Sequence, residues 1–162
     1  MERSMPMRTQ TEARSVVPTL NHGAVSPRQS SEARRLLAQA RNDAYAQAAQ
    51  GQLGAGVSLL SEALALEPSS HELLSDIAAL LLSAGELEQA ALHAHRAIQI
   101  QPDHGPSLYT LGFAMSGLGE AKAAIEVLSS LGQGEALASL MREAPDLLPL
   151  VRSELQRLSA AA

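Results

Sequence analysis

The chain has 162 residues and a formal net charge of −5, with no cysteine and only three aromatic residues. It is long enough for one domain, and without cysteine it has neither disulfides nor thiolate metal sites. Alanine and leucine are abundant whereas β-branched and aromatic residues are scarce, so the composition predicts an all-α protein.

Charge is distributed unevenly along the sequence. The first thirty residues carry a net charge of +2, whereas residues 58–140 contain ten acidic residues against Arg96 and Lys122, a net charge of −8. A nucleic-acid-binding face needs the opposite, a basic stripe that displaces counterions from phosphate. No apolar run approaches the ~20 residues of a membrane helix, and the N-terminus lacks the apolar core of a secretory signal. The sequence therefore predicts a cytoplasmic protein that binds no nucleic acid and has no membrane span.

Residues 1–30 are predicted to form a disordered basic tail. They combine three prolines with Ser, Thr, Gln and Arg and show no helical periodicity, so they cannot bury enough apolar surface to offset the entropy of ordering. Their one apolar element is the segment 16–20, VVPTL. The tail is predicted to be solvated; the alternatives are a targeting segment and a segment that docks into a groove of its own or a neighbouring chain.

Helical patterns begin at about Ser31. A first helix is predicted to about Gln50 and a second, after a glycine turn, to about Leu66. Ser69 stands three residues before Glu72, a capping-box arrangement that predicts the start of the third helix.

A period of 34 residues organises the middle of the chain. Gly51, Gly85 and Gly119 are separated by this interval, and so are Pro68 and Pro102. Each unit contains two short helical patterns around a glycine, a residue that commonly ends a helix because it tolerates a left-handed backbone. A repeat of this period predicts a solenoid of stacked helix-turn-helix units.

These units resemble the tetratricopeptide repeat, in three copies at residues 37–70, 71–104 and 105–138. The signature positions of the middle copy are occupied by Leu74, Ile77, Ala78, Leu81, Gly85, Ala90, Ala94, Ala97, Ile100 and Pro102. The first copy departs from the pattern at Asp43 and Gln47, and the third loses it towards its end. The resemblance implies a right-handed α-solenoid.

The last part of the chain, residues 139–162, is predicted to be a capping helix region. Residues 133–144 and 146–160 are predicted to form two helices separated by Pro145, the second with an apolar face. A terminal repeat must cover its open side, which an atypical helix with a polar outer face does. The alternative is that this helix forms a dimerisation surface.

Catalytic and metal-binding patterns are absent from the sequence. His93 and His95 point about 200° apart on a helix, the wrong geometry for one ion. His71 and His104 have no carboxylate cluster at a ligand spacing, and no serine has an evident His/Asp pair. The glycines of GQLGAG lack the strand and the lysine of phosphate-binding loops. The sequence therefore predicts no enzyme, no metal site and no cofactor.

The resemblance also implies which residues line the concave surface, namely those of the first helix of each unit. All three aromatic residues of the chain fall at such positions. The predicted partner-binding residues are Arg41, Tyr45, Glu72, Ser75, Ala79, Leu82, Tyr109 and Phe113. Aromatic side chains offer large contact area at low entropic cost, which suits anchors of a binding surface. The alternative is that the aromatic residues merely fill gaps between helices.

One known mode of the family clamps the C-terminal carboxylate of a chaperone tail. Arg41 fits the first clamp position, but Tyr45 and Asp76 stand where asparagines are expected. Pro106 and Thr110 replace the expected basic residues. Because an acidic groove repels an acidic tail, the predicted ligand is an apolar segment with a basic or neutral flank.

The sequence thus predicts a non-catalytic module that holds an extended or helical segment of a partner protein or peptide in a concave groove. Its length, repeat number and aromatic groove are similar to those of type III secretion chaperones that hold translocator proteins. The alternative function is a scaffold or regulatory subunit of a secretion, pilus or cell-envelope assembly, with contacts through the convex face or the last helix. A homodimer is a further alternative.

Overall fold

The computed structural model describes residues 27–162, which form eight α-helices. The helices are α1 (Pro27–Ala49), α2 (Leu53–Leu66), α3 (His71–Ser83), α4 (Leu87–Ile100), α5 (Gly105–Gly117), α6 (Ala121–Ser129), α7 (Gly134–Glu143) and α8 (Leu148–Ala160). Short 3-10 turns precede α7 and α8. The predicted all-α fold is confirmed. Helix α1 begins before the predicted start at about Ser31, and the rest of the predicted tail, including segment 16–20, lies outside the described residues.

The helices stack in two layers. Successive helices pack as pairs, α1 with α2, α3 with α4 and α5 with α6, and each pair packs on the next. The odd-numbered helices α1, α3, α5 and α7 contact one another in succession and form the inner layer. Helices α2, α4 and α6 form the outer layer. This arrangement is the helix-turn-helix solenoid that the 34-residue period predicted.

The turns inside the repeats have one common geometry. Gly51, Gly85 and Gly119 have backbone φ angles of +79°, +79° and +82°, a region that side chains disfavour. In the middle repeat, the N–H of Glu86 donates to the carbonyl of Leu81 over 2.9 Å. This bond closes a Schellman motif, which satisfies the last carbonyls of the inner helix and turns the chain back.

The third helix begins one residue later than the capping pattern predicted. Its N-cap is Ser70, whose Oγ accepts a hydrogen bond from the N–H of Leu73 over 3.2 Å. Ser70 has the extended backbone that an N-cap needs. The prediction of Ser69 as the cap is therefore wrong by one position, because two serines precede this helix and sequence spacing alone does not separate them.

Small side chains let the helices approach closely. Fully buried alanines recur through the helix pairs, among them Ala44, Ala78, Ala94 and Ala124. The closest approach is at Gly105, where an added Cβ would lie within 2.7 Å of the Cα of Leu140 in α7. Backbones this near leave no room for a side chain, so this glycine fixes α7 against the start of α5.

Helices α7 and α8 cover the open end of the third pair. Leu140 from α7 and Val151 and Leu158 from α8 are buried in one cluster with Leu108 and Leu128. Their burial removes the apolar face that a terminal repeat would otherwise expose. The C-terminal helices are thus a cap, as the apolar pattern predicted.

Candidate functional site

A cleft of about 530 Å³ runs along the inner layer. Its lining comes from α1, α3, α5, α7 and the residues that flank them: Arg41, Tyr45, Ser75, Asp76, Ala79, Leu82, Ser83, His104, Pro106, Tyr109, Thr110, Glu143, Ala144 and Leu147. We refer to this surface as the cleft. Six predicted partner-binding residues line it: Arg41, Tyr45, Ser75, Ala79, Leu82 and Tyr109.

The other two predicted residues lie beside the cleft. Glu72, in the first turn of α3, approaches Arg41 with 3.4 Å between Oε2 and Nη1. Phe113 stacks on Tyr109 with ring centroids 4.4 Å apart and packs against the C-terminal core. Tyr109 packs against the same core, so the two rings form one partly buried pair beside the cleft.

At the α1 end of the cleft, a charged network joins α1 to α3. The guanidinium of Arg41 binds Asp76 through Nε to Oδ2, and its Nη2 lies 3.3 Å from Oδ1. Asp76 is only 6% exposed, and a buried carboxylate requires charged or polar donors. The hydroxyl of Tyr45 is the third donor to Asp76, after Nε and Nη2 of Arg41, with 2.7 Å between Oη and Oδ1. The positive charge of Arg41 is therefore already compensated inside the protein.

The hydroxyl of Tyr45 stays protonated in this network. Burial raises the pKa of Tyr45 well above its ordinary value, and the negative charge of Asp76 raises it further. The phenol therefore acts as a donor to Asp76 at any physiological pH. Tyr45 as a whole remains 43% exposed and lines the cleft.

At the other end, a second polar network joins α5 to α7. His104 precedes α5 as its N-cap residue, and its Nδ1 lies 2.7 Å from Oγ of Ser107. Its Nε2 lies 3.2 Å from Oε2 of Glu143. Ser139 in α7 accepts from the N–H of Gly105 over 2.8 Å and donates to Glu143 over 3.2 Å. These bonds hold the end of α7 against the start of α5.

The protonation of His104 follows from these contacts. Burial lowers the pKa of His104, an effect that the charge of Glu143 opposes. The imidazole is therefore neutral at pH 7. Because a carboxylate only accepts hydrogen bonds, the proton of the neutral ring lies on Nε2, and Nδ1 accepts from Ser107.

Ser107, His104 and Glu143 contact one another in that order, and they are the residue types of a hydrolytic triad. The sequence did not indicate this arrangement. Ser107, however, is completely buried, with 0% of its surface exposed. A substrate has no access to its Oγ, and a nucleophile needs such access. Ser107 therefore has a structural role in this network.

Two further findings limit the chemistry of residues 27–162. Within this part of the chain, no group of three or more His, Asp and Glu side chains is arranged to hold a metal ion. None of the helices described there combines the length and the apolar character of a membrane span.

Residues 81–146 match the family model of the tetratricopeptide repeat. These residues carry tetratricopeptide repeats. The three helix pairs of the chain have the arrangement of this fold, which in general serves as a scaffold for protein interactions. No curated protein matches the sequence.

Solved tetratricopeptide-repeat (TPR) domains have the same fold. The Sgt2 TPR domain of Aspergillus fumigatus has a TM-score of 0.65 at 20% identity, over 77% of this chain and 78% of that chain. The TPR2B domain of yeast Sti1, in its pHsp70 complex, has a TM-score of 0.66 at 16% identity, over 78% of this chain and 98% of that chain. The first TPR of Spaghetti (RPAP3), bound to the HSP90 peptide SRMEEVD, has a TM-score of 0.64 at 14% identity, over 77% of this chain and 91% of that chain.

Sequence reasoning missed several lining residues of the tetratricopeptide-repeat cleft. Asp76 had a usable signal, since it follows Arg41 by 35 residues, one period plus one. That spacing places both on facing inner helices, and a carboxylate in a buried stripe needs a cation. Glu143 and Leu147 had no such signal, because they lie in and after α7, where the period no longer applies.

Proposed function

We propose that the protein is a non-catalytic interaction module whose cleft binds an extended segment of a partner protein. The observation that carries this proposal is Tyr45. This residue lines the cleft and is 43% exposed, although its hydroxyl is held by Asp76. An exposed aromatic ring that is already fixed in one position loses little entropy on binding, which is the property of an interface anchor.

The remaining cleft surface suits a peptide chain. Tyr109 and Leu82 supply apolar area along the floor, and Leu147 supplies it at the far end. Ser75, Ala79 and Ser83 are small and leave space beside α3. Concave sites with apolar walls and a few placed polar groups are the usual receptors of ligands.

The similar structures support a peptide as the ligand. Yeast Sti1 TPR2B is in a complex with pHsp70, and the first TPR of RPAP3 holds the peptide SRMEEVD. For this chain we propose a different sequence preference, an apolar segment with a basic or neutral flank. The reason is Arg41, whose charge is already bound by Asp76 and Glu72. A chaperone that holds translocator segments for secretion is one role that such a cleft would serve.

A second candidate function is a scaffold subunit that binds through the outer layer. Leu66, at the end of α2, is 85% exposed, and Leu92 and Ile100 of α4 are also exposed. Leu66 and Ile100 are 34 residues apart and therefore occupy equivalent positions of successive repeats. Exposed apolar side chains on neighbouring helices are a common feature of contact surfaces.

The test uses the full chain and a library of random linear peptides. A peptide selected on the wild-type chain is expected to lose about tenfold or more in affinity with Tyr45→Ala, as central interface residues do. Leu66→Ala, on the outer layer, is expected to keep wild-type affinity. Fluorescence anisotropy measures both, and circular dichroism checks that each variant is helical. The reverse pattern rejects the cleft and favours the scaffold.

A further inference from the structure

The two ends of the cleft differ in how their charges are compensated. At the α1 end, Arg41 and Asp76 neutralise each other within the protein. At the α7 end, Glu143 lines the cleft with 42% of its side chain exposed. Among residues 27–162, no Lys or Arg forms a salt bridge with Glu143; its partners are His104 and Ser139.

His104 does not supply the missing charge. Burial lowers the pKa of His104, so the imidazole that contacts Glu143 is neutral at pH 7. Ser139 is uncharged. Within residues 27–162 the carboxylate of Glu143 therefore has no cationic partner, and it lies at the edge of a partly apolar cleft, where solvent screens a charge less than on an open surface.

The surroundings of Glu143 suit a long basic side chain. Ala144 follows Glu143 directly and Leu147 is four residues further on than Glu143, and both line the cleft with Tyr109 and Pro106. Lys and Arg place their methylene stems along apolar surface and their charge towards a polar group. A cation near an aromatic ring such as Tyr109 gains further attraction.

We propose that the α7 end of the cleft receives a Lys or Arg side chain of the bound protein segment, with Glu143 as its counter-charge. This inference rests on the proposed function of the cleft and specifies its partner as a segment with a basic residue. Charge complementarity favours this partner over an acidic one. A carboxylate in the cleft would find Arg41 already bound to Asp76 and would face Glu143 without compensation.

The experiment compares two peptides on three forms of the full chain. One peptide is selected from a random library on the wild-type chain, and its neutral analogue carries citrulline in place of arginine, or acetyl-lysine in place of lysine. Wild-type protein is expected to bind the basic peptide about fivefold more tightly than the neutral analogue. Glu143→Gln, which keeps the shape and the hydrogen-bonding oxygen, is expected to bind both peptides equally.

Glu135→Gln is the matched control. It removes the same charge from the same helix, but Glu135 pairs with Arg142 and does not line the cleft. This variant is expected to keep the wild-type preference. That preference is also expected to shrink at high salt, since it is electrostatic.

Two results of the peptide comparison would overturn this inference. The first is equal binding of both peptides by the wild-type chain, which does not depend on the stability of the Glu143 variant. Binding of peptides in the cleft would then still stand. A preference that survives Glu143→Gln also overturns it. If Tyr45→Ala changes no peptide affinity at all, the proposed function fails first and this inference fails with it.

Discussion

The hydroxyl of Tyr45 donates to Oδ1 of Asp76 over 2.7 Å, across the junction between α1 and α3. The same carboxylate binds Arg41. One buried acid thereby holds both the aromatic ring that faces the cleft and the basic lining residue at this end. The position of the proposed anchor and the charge of the cleft consequently depend on a single side chain.

Removal of the Tyr45 hydroxyl separates the effect of the bond from that of the ring. Tyr45→Phe is expected to lower the free energy of unfolding by about 1 kcal/mol, the net worth of one hydrogen bond. It is expected to bind a cleft peptide more tightly than Tyr45→Ala because the ring is retained. Urea unfolding and peptide titration measure the two effects. Tyr109→Phe is the control. The hydroxyl of Tyr109 has no hydrogen-bond partner in residues 27–162, so its removal is expected to change stability little. A larger loss for Tyr109→Phe contradicts the prediction.

Removal of the Asp76 charge is expected to change ligand preference. Asp76→Asn leaves Arg41 with only Glu72, at 3.4 Å, as a charged partner. The freed guanidinium is expected to raise the affinity for the acidic peptide SRMEEVD severalfold, while stability falls by about 1–3 kcal/mol as a buried charged bond is lost. Titration with this peptide tests the gain.

Asp103→Asn is the control for Asp76→Asn, because it removes the same charge at an exposed position outside the cleft. It is expected to leave the affinity for SRMEEVD at the wild-type value. Equal gains from both variants mean that net charge alone is responsible and that Arg41 has no specific part.

The sequence predicted those features that follow from the 34-residue period. Gly51, Gly85 and Gly119 marked three turns of one geometry, and the fold followed from them. The period also placed Arg41 opposite the next inner helix. Each of these features depends on local residues or on the spacing between repeats, and a sequence contains both.

The features that the sequence could not predict depend on the C-terminal cap. Glu143 meets His104 because α7 packs on the start of α5, at a separation of 39 residues that no repeat sets. Phe113 has a groove position in the repeat pattern, yet it packs against the core that the cap completes. Contacts of this kind depend on how helices without a repeating pattern dock, which sequence spacing does not encode.

The close approach of α5 and α7 can be tested with a pair of glycine substitutions. Gly105→Ala is expected to lower the free energy of unfolding by about 2–3 kcal/mol, because its Cβ would overlap the backbone of Leu140 and force the helices apart. Gly54→Ala, inside α2 with open space around its Cβ, is expected to stabilise by up to about 1 kcal/mol. Urea unfolding measures both. A Gly105→Ala variant as stable as wild type contradicts the packing of α7 on α5.

The pH dependence of stability provides a test of the buried imidazole. His104 has a lowered pKa in the folded protein, chiefly through burial. The unfolded chain therefore binds the proton more readily than the folded protein, so acid favours unfolding. No penalty applies above the unfolded pKa of about 6.5. The penalty grows as the pH falls below that value and is complete below the folded pKa.

His104→Gln is expected to abolish this component while it costs stability at pH 7 through the lost bonds to Ser107 and Glu143. The measurement is the free energy of unfolding in urea between pH 7.5 and pH 5, compared between wild type and variant. His95→Gln, at an exposed position of α4, is the control and is expected to keep the wild-type slope. If His104→Gln keeps that slope as well, then burial between α5 and α7 does not lower the pKa of His104.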